Sequence, residues 1–338
     1  MIESSLSNLE QSIFNQGTKH HYYKNGLVEI YCNRKYNNSL VELVESKKLF
    51  EELEELIDFW KKSSYFIIDY KSNIFKEIIQ SSITNWVDIE AIYYKILTDN
   101  LGQVETVKKL NKDLNILKKE LEEYLNTLDY THISENENSY LFTEQFFSGI
   151  ANEEILEVKQ EDSITQANSY FLNFNYTNTL NILLERFKDS YGINYQINHI
   201  HGKLNSKEEK IIFGFGDEMD KDYKKIEELN DNIQFENIKS FQYFRSANYR
   251  NLMRFLNSNE YQVYIYGHSC GLSDRVMLNE IFENENCKSI RIFYYKNEND
   301  FINKTMEVSR HFKNNNSMRK KIVNFNPKDI IPQLKEES

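Results

Sequence analysis

The sequence predicts an α/β protein with a mostly parallel sheet and a large helical N-terminal region or insertion. Three observations carry that expectation. From about residue 161 to the end, short runs rich in Tyr, Phe, Ile and Val alternate with helical stretches, the order produced by parallel strands and helical crossovers. Residues 1–160 instead carry apolar side chains at helical spacing between charges. Two Pro and ten Gly in 338 residues are few turn residues for a sandwich of short strands. The two regions, 1–160 and 161–338, are read as one intertwined domain, with the chemistry-bearing motifs in the second.

In the first region Leu40, Val41, Leu43, Val44, Leu49, Phe50, Leu53, Leu56, Ile57 and Trp60 recur at roughly helical spacing, and "SSYFIIDY" (63–70) reads as a strand between helices. Val107, Leu110, Leu114, Leu117, Leu121, Tyr124 and Leu128 advance by steps of three and four. That makes a helical seam over 104–128, either a packing face within the chain or the interface of a homo-oligomer.

After the polar stretch "KQEDSITQANS" come "YFLNFNY", a helix near 178–188, "YQINHIHG" and "KIIFGFG". A second helical stretch (about 238–257), "YQVYIYGHS", a helix at about 274–284 and "SIRIFYY" complete the pattern. In such sheets ligands sit beyond the C-terminal ends of the strands. Polar clusters fall at those ends: Asn173 and Asn175, His199 and His201, Gly214 to Asp217, and Gly267 to Ser269.

A formal net charge of −11 argues against general nucleic-acid binding, and Arg319-Lys320-Lys321 reads as a solvated face. Cys32, Cys270 and Cys287 match neither a disulfide framework nor a zinc site, so no metal is expected. The N-terminus lacks the apolar core of a signal peptide and no run approaches a membrane span. A cytoplasmic protein without membrane association is expected.

"GHSCG" (267–271) matches the G-x-S-x-G elbow of serine hydrolases. Such an enzyme needs an acid and a histidine later in the chain, on later strands. After Ser269 only His311 remains, in a polar stretch, and one convincing strand follows the elbow. The missing triad outweighs the pentapeptide, so Ser269 is not read as a nucleophile.

"FNYTNTL" (174–180), "HIHG" (199–202) and "YGHSCGLSD" (266–274), in that order, resemble the abortive-infection AbiH family of bacterial antiphage proteins. "NWVDIE" (85–90) resembles a tryptophan-acid patch of the same family, and the likeness covers about residues 85–295. More distantly the trio is similar to sirtuin-like NAD-consuming defence domains, which implies a Rossmann-like sheet. In that comparison Asn175 matches an Asn that holds ribose or water, and Thr177 stands where those domains carry an Asp. His201 matches the catalytic His, Gly267 and Ser269 the nucleotide-contacting turn, and Asp274 the acid beyond it.

The resemblance implies His201 and Asn175 as catalytic residues. Asn173, Thr177, Gly202, Gly267, His268, Ser269 and Asp274 are then the expected nucleotide-contacting set. The residue types suit cleavage of an N-glycosidic bond: an imidazole for the base, an amide for ribose hydroxyls or water, a Gly-x-Ser turn for close backbone approach. NAD would be the substrate, and a phage-derived trigger or a defence protein the partner. The family is expected to open with a strand and a GNGFD-type loop. The nearest stretch is "KNGLVEIYCNRKY", with Asn25-Gly26 after the poor strand former "TKHHYY". That departure keeps open a nucleotide-binding sensor without catalysis.

Overall fold

A computed structural model describes residues 22–24, 26–32, 66–81, 86–130, 133, 139–149, 154–156, 168–191 and 194–333. They form a mixed α/β chain of two compact units. The first comprises residues 1–128 with 226–236; the second comprises 129–225 with 237–338. No helix among the described residues is long and apolar enough to cross a membrane.

In the first unit β1 (Tyr22–Lys24), β2 (Val28–Cys32) and β3 (Phe66–Tyr70) pair antiparallel, in that order. The strand expected over 63–70 is present, but the sheet it joins is antiparallel. The poor strand former before Asn25-Gly26 also contributes β1. Gly26 therefore lies in a hairpin connection, because β2 turns back on β1 and no helix follows the first strand. That hairpin replaces the expected strand-to-glycine-loop opening; Asn25 itself lies outside the described residues, as does the helical pattern over 40–60.

Three helices follow: α1 (Asn73–Gln80), α2 (Trp86–Asp99) and α3 (Val104–Thr127). Ser72 starts α1 by accepting the Phe75 N–H at 3.3 Å, satisfying one of the donors a helix end leaves orphaned. The α3 seam is buried within this unit at Val107, Leu110, Leu114, Leu117 and Leu121. Asn111 on the same helix accepts from the Tyr93 hydroxyl at 2.7 Å and donates to the Ile233 carbonyl at 2.9 Å.

Among the described residues the second unit includes α4 (Tyr140–Phe146) and two β-α-β passages. In one, β4 (Ser169–Asn173), α5 (Thr179–Tyr191) and β5 (Tyr195–His199) bring Asn173 opposite His199 in a parallel pair. Next come α6 (Lys221–Glu228), whose residues from 226 on belong to the first unit, then α7 (Lys239–Gln242) and α8 (Asn248–Leu256). The single helical stretch expected over 238–257 is thus divided, with a 3-10 turn at Tyr243–Arg245 between α7 and α8.

The other passage is β6 (Tyr261–Ile265), a 3-10 turn at Leu272–Asp274, α9 (Arg275–Glu283) and β7 (Cys287–Ile292), again a parallel pair. Two final helices, α10 (Glu298–Ser309) and α11 (Asn315–Lys321), start at Asn297 and Asn314. Asn297 forms a capping box with Asp300, a reciprocal pairing that satisfies both ends of the first turn.

One apolar cluster joins both passages, running through Ile200, Ile265, Ile290 and Ile292 and the inner faces of α8 and α9. The stretch "KIIFGFG" is not a strand. Its backbone bonds go one at a time to different segments: Ile212 N–H to the His201 carbonyl at 2.8 Å, Phe215 N–H to the Asn237 carbonyl at 3.2 Å. Gly214 to Asp217 accordingly do not sit at a strand end.

Candidate functional site

The site lies in the second unit, just past the C-terminal ends of β4, β5 and β6. Asn173 ends β4 and is buried; its carboxamide oxygen accepts the Asn175 N–H at 3.0 Å, so it bends the chain outward. The same carboxamide donates to His199 Nδ1 at 3.3 Å, which leaves the His199 Nε2–H to donate to Asn181 Oδ1 at 3.1 Å. Asn248 donates to the His199 carbonyl at 2.8 Å. His199 is therefore a structural histidine tying two strands and α8 together, and burial followed by the Lys203 charge moves its pKa downward.

Past β5 the chain turns, and His201 sits in that turn rather than on the strand. His199 and His201 consequently meet different partners instead of sharing a strand face. His201 Nε2 lies 2.9 Å from Asp274 Oδ1 and 3.3 Å from the Tyr243 hydroxyl. Its ring meets Phe174 edge-on at 5.2 Å and lies nearly parallel to Tyr243 at 6.3 Å. Only 6% of the residue is exposed.

Asp274, in the 3-10 turn before α9, is the hub. Its Oδ1 also accepts from Lys239 Nζ at 2.9 Å, and its Oδ2 is 3.9 Å from His268 Nε2. Burial by itself would raise the Asp274 carboxyl, but Lys239, His201 and His268 outweigh it and hold it well below the usual carboxylate range. Lys239, 1% exposed, is anchored further by Ser273 Oγ at 3.4 Å. Gly216 makes room for this approach: a Cβ there would lie 3.0 Å from Lys239 Cβ and 2.9 Å from the Ser273 carbonyl.

The turn after β6 completes the site. Gly267 is exposed at φ +66°, with nothing within 4 Å of where a Cβ would stand, so its backbone is open to close approach. His268 packs on Phe174 at 3.9 Å and accepts the Cys270 N–H at Nδ1, 3.1 Å. Burial lowers its pKa to about 4. Ser269 is exposed, and its carbonyl accepts from Lys304 Nζ at 3.1 Å. His311 spends Nε2–H on the Cys270 carbonyl at 2.8 Å, so the one histidine after Ser269 holds the turn from beneath and forms no nucleophile–base pair.

The structure thus gathers buried His201 and Asp274 with half-buried His268 into one constellation. Asn175 is exposed on the segment whose next-door Phe174 separates His201 from His268, and Thr177 bonds Thr179 Oγ1 at 3.0 Å where α5 begins. Gly202 serves packing: at φ +82° a Cβ would come within 2.3 Å of the Lys210 carbonyl oxygen. Sequence reasoning missed Lys239 and Tyr243, which lie 35 and 42 positions away in chain order from the residues they touch. No local pattern marks them, since each reads as part of a helix face. Among the described residues no group of three His, Cys, Asp or Glu could hold a metal ion.

Acid sensitivity follows from His268. A histidine whose folded pKa is depressed stays neutral in the fold while the unfolded chain binds a proton below about 6.5. Its contribution is complete above that value and is lost as pH falls from about 6.5 toward 4. Unfolding free energies from urea titrations at pH 7.5 and pH 5 should differ by about 1–2 kcal/mol from this residue. His268→Gln should flatten that part of the slope; an unchanged slope would refute the assignment.

A family model for bacteriophage abortive infection AbiH matches residues 20–296. No curated protein and no solved structure matches the chain. The match spans well over half of the sequence and contains the Asn173–Thr177 segment, the His201 turn and the Gly267–Asp274 turn, so the chain belongs to the AbiH family of bacteriophage abortive infection proteins.

Proposed function

We propose that this AbiH protein acts in antiphage abortive infection as a sirtuin-like NAD(P) glycohydrolase, with the two parallel strand pairs serving as parts of one Rossmann-like sheet. The observation that carries this reading is the 2.9 Å contact of His201 Nε2 with Asp274 Oδ1. An ionised carboxylate at that distance takes an N–H, which leaves the lone pair on Nδ1 and makes Nδ1 the base. Water then attacks the ribose C1′ as the bond to nicotinamide breaks. Its proton passes to His201, nicotinamide leaves neutral, and ADP-ribose is formed. Asn175, exposed on the loop after β4, is the amide that orients the water or ribose. The open Gly267 backbone and Ser269 lie where a phosphate or ribose can approach, and a phage component or partner protein supplies the trigger.

The test is nicotinamide release from NAD by the purified protein, alone and with coexpressed phage components, beside His201→Ala. Loss of a general base costs about 10²–10⁴-fold in rate. Release by the wild-type chain that the variant lacks supports the reading; equal release by both rejects His201 as base.

A second reading, a nucleotide-binding sensor without turnover, is favoured by the enclosure of the His201 ring between Phe174 and Tyr243. The β1–β2 hairpin, where a glycine loop was expected, points the same way. Binding of NAD or ADP-ribose with no release under any condition would establish it.

A further inference from the structure

We infer that Lys239 is a positioning residue: its ammonium fixes the ionised state of Asp274 and so selects the tautomer of His201, with the proton on Nε2 and the lone pair on Nδ1. The catalytic consequence rests on the glycohydrolase reading, whereas the tautomer assignment stands on geometry alone.

The argument begins with a single oxygen. Asp274 Oδ1 lies 2.9 Å from both Lys239 Nζ and His201 Nε2. Lys239 and Asp274 are each almost wholly buried, so neither charge has bulk water to fall back on. Three ionisable or polar groups besides Lys239 face the carboxylate or the imidazole: His268 at 3.9 Å from Oδ2, the Tyr243 hydroxyl at 3.3 Å from His201 Nε2, and Ser273 beside the ammonium. His268 accepts a backbone N–H at Nδ1, so its own proton sits on Nε2, toward the carboxylate. His201, Lys239 and His268 thus each turn a hydrogen toward Asp274, whereas Ser273 Oγ accepts from the ammonium and the Tyr243 hydroxyl contacts His201 Nε2.

With Asp274 ionised, the other His201 tautomer would set an imidazole lone pair against a carboxylate lone pair at 2.9 Å. With Lys239 gone, that constraint disappears. The buried carboxyl can take a proton and donate it to His201 Nε2, driving the imidazole to the Nδ1–H form; or it can remain charged and draw a second proton onto the ring. Both results remove the lone pair from Nδ1. Lys239 places a positive charge on the same oxygen that His201 Nε2 faces, so the lone pair of that ring is left on Nδ1.

Lysine is also held in place in a manner that suits this role. It enters from α7, and its stem passes over Gly216, where any side chain would collide with it. Its Nζ is braced against Ser273, the neighbour of the residue it charges, so the ammonium cannot swing away without losing both contacts.

The test reads nitrogen chemical shifts of ¹⁵N-histidine-labelled full-length protein. His201 is assigned among the seven histidines with a His201→Gln variant. Wild type should show a pyrrole-type Nε2 and a pyridine-type Nδ1. Lys239→Met should abolish the pyridine-type Nδ1 signal, and Lys239→Arg, which keeps the charge, should restore it. A wild-type spectrum with the proton on Nδ1 overturns the inference without any variant being needed. So does an unchanged His201 pattern in folded Lys239→Met. Where nicotinamide release is measurable, Lys239→Met should reduce it at least about tenfold while Lys239→Arg retains most of it. Absence of release together with the predicted shifts would reject the glycohydrolase reading and leave the tautomer assignment intact.

Discussion

Asp274→Ala should destabilise the second unit by about 3–5 kcal/mol, because it removes the anion from a buried ion pair and leaves the cation behind. Lys239 is 1% exposed and both it and His201 donate to Oδ1 of this carboxylate. Asp274→Asn should cost less, since the amide oxygen still accepts one of the two donors. The pairing can be isolated with Asp274→Leu, Lys239→Met and their combination, followed by urea unfolding. Each single change strands a buried charge, so the double variant should be more stable than the sum of the singles predicts. Simple additivity would mean that the ion pair does not hold this part of the core.

Gly202→Ala should be nearly as damaging, by about 2–4 kcal/mol, whereas Gly267→Ala should cost only about 1 kcal/mol. Both glycines have positive φ, +82° and +66°, so both carry the strain of a side chain in the left-handed region. Only Gly202 adds a collision with backbone: the Cβ would stand 2.3 Å from the Lys210 carbonyl oxygen and 2.8 Å from that of Glu209. Backbone on both sides is fixed, because Lys203 N–H bonds the Glu209 carbonyl at 2.8 Å and Ile212 N–H the His201 carbonyl at 2.8 Å. Thermal midpoints of the two variants decide the matter. Equal losses would contradict the packing role of Gly202. If the open Gly267 turn receives a ligand, its alanine variant should lose nucleotide binding out of proportion to its small loss of stability.

Much of the second unit was legible because its signals are local. Strands such as Tyr261–Ile265 declare themselves by dense β-branched and aromatic residues, and the helices after them by apolar spacing. The α3 seam was legible for the same reason, and Leu114, Leu117 and Leu121 are buried as a three-and-four pattern requires. "KIIFGFG" misled for a physical reason. It has strand-like composition, but Ile211, Ile212 and Phe213 are buried on an irregular path, and burial rather than pairing explains their apolarity. Composition reports that a segment is inside and is silent on where its backbone hydrogen bonds go.

By itself the sequence determined the family, the α/β alternation and three of the motif segments that make the site, since each is a short contiguous stretch. Tertiary structure alone decided which of their side chains meet. It separated His199, which stitches strands to α8, from His201, only two positions on, which joins a charged cluster. It distinguished a glycine that packs from a glycine that lies open, although both have positive φ in a turn that follows a strand. It also brought Lys239 to Asp274 from 35 residues away. A buried charge must be matched by whatever the fold places within about 3–4 Å, and that distance is a property of packing, which no spacing along the chain records.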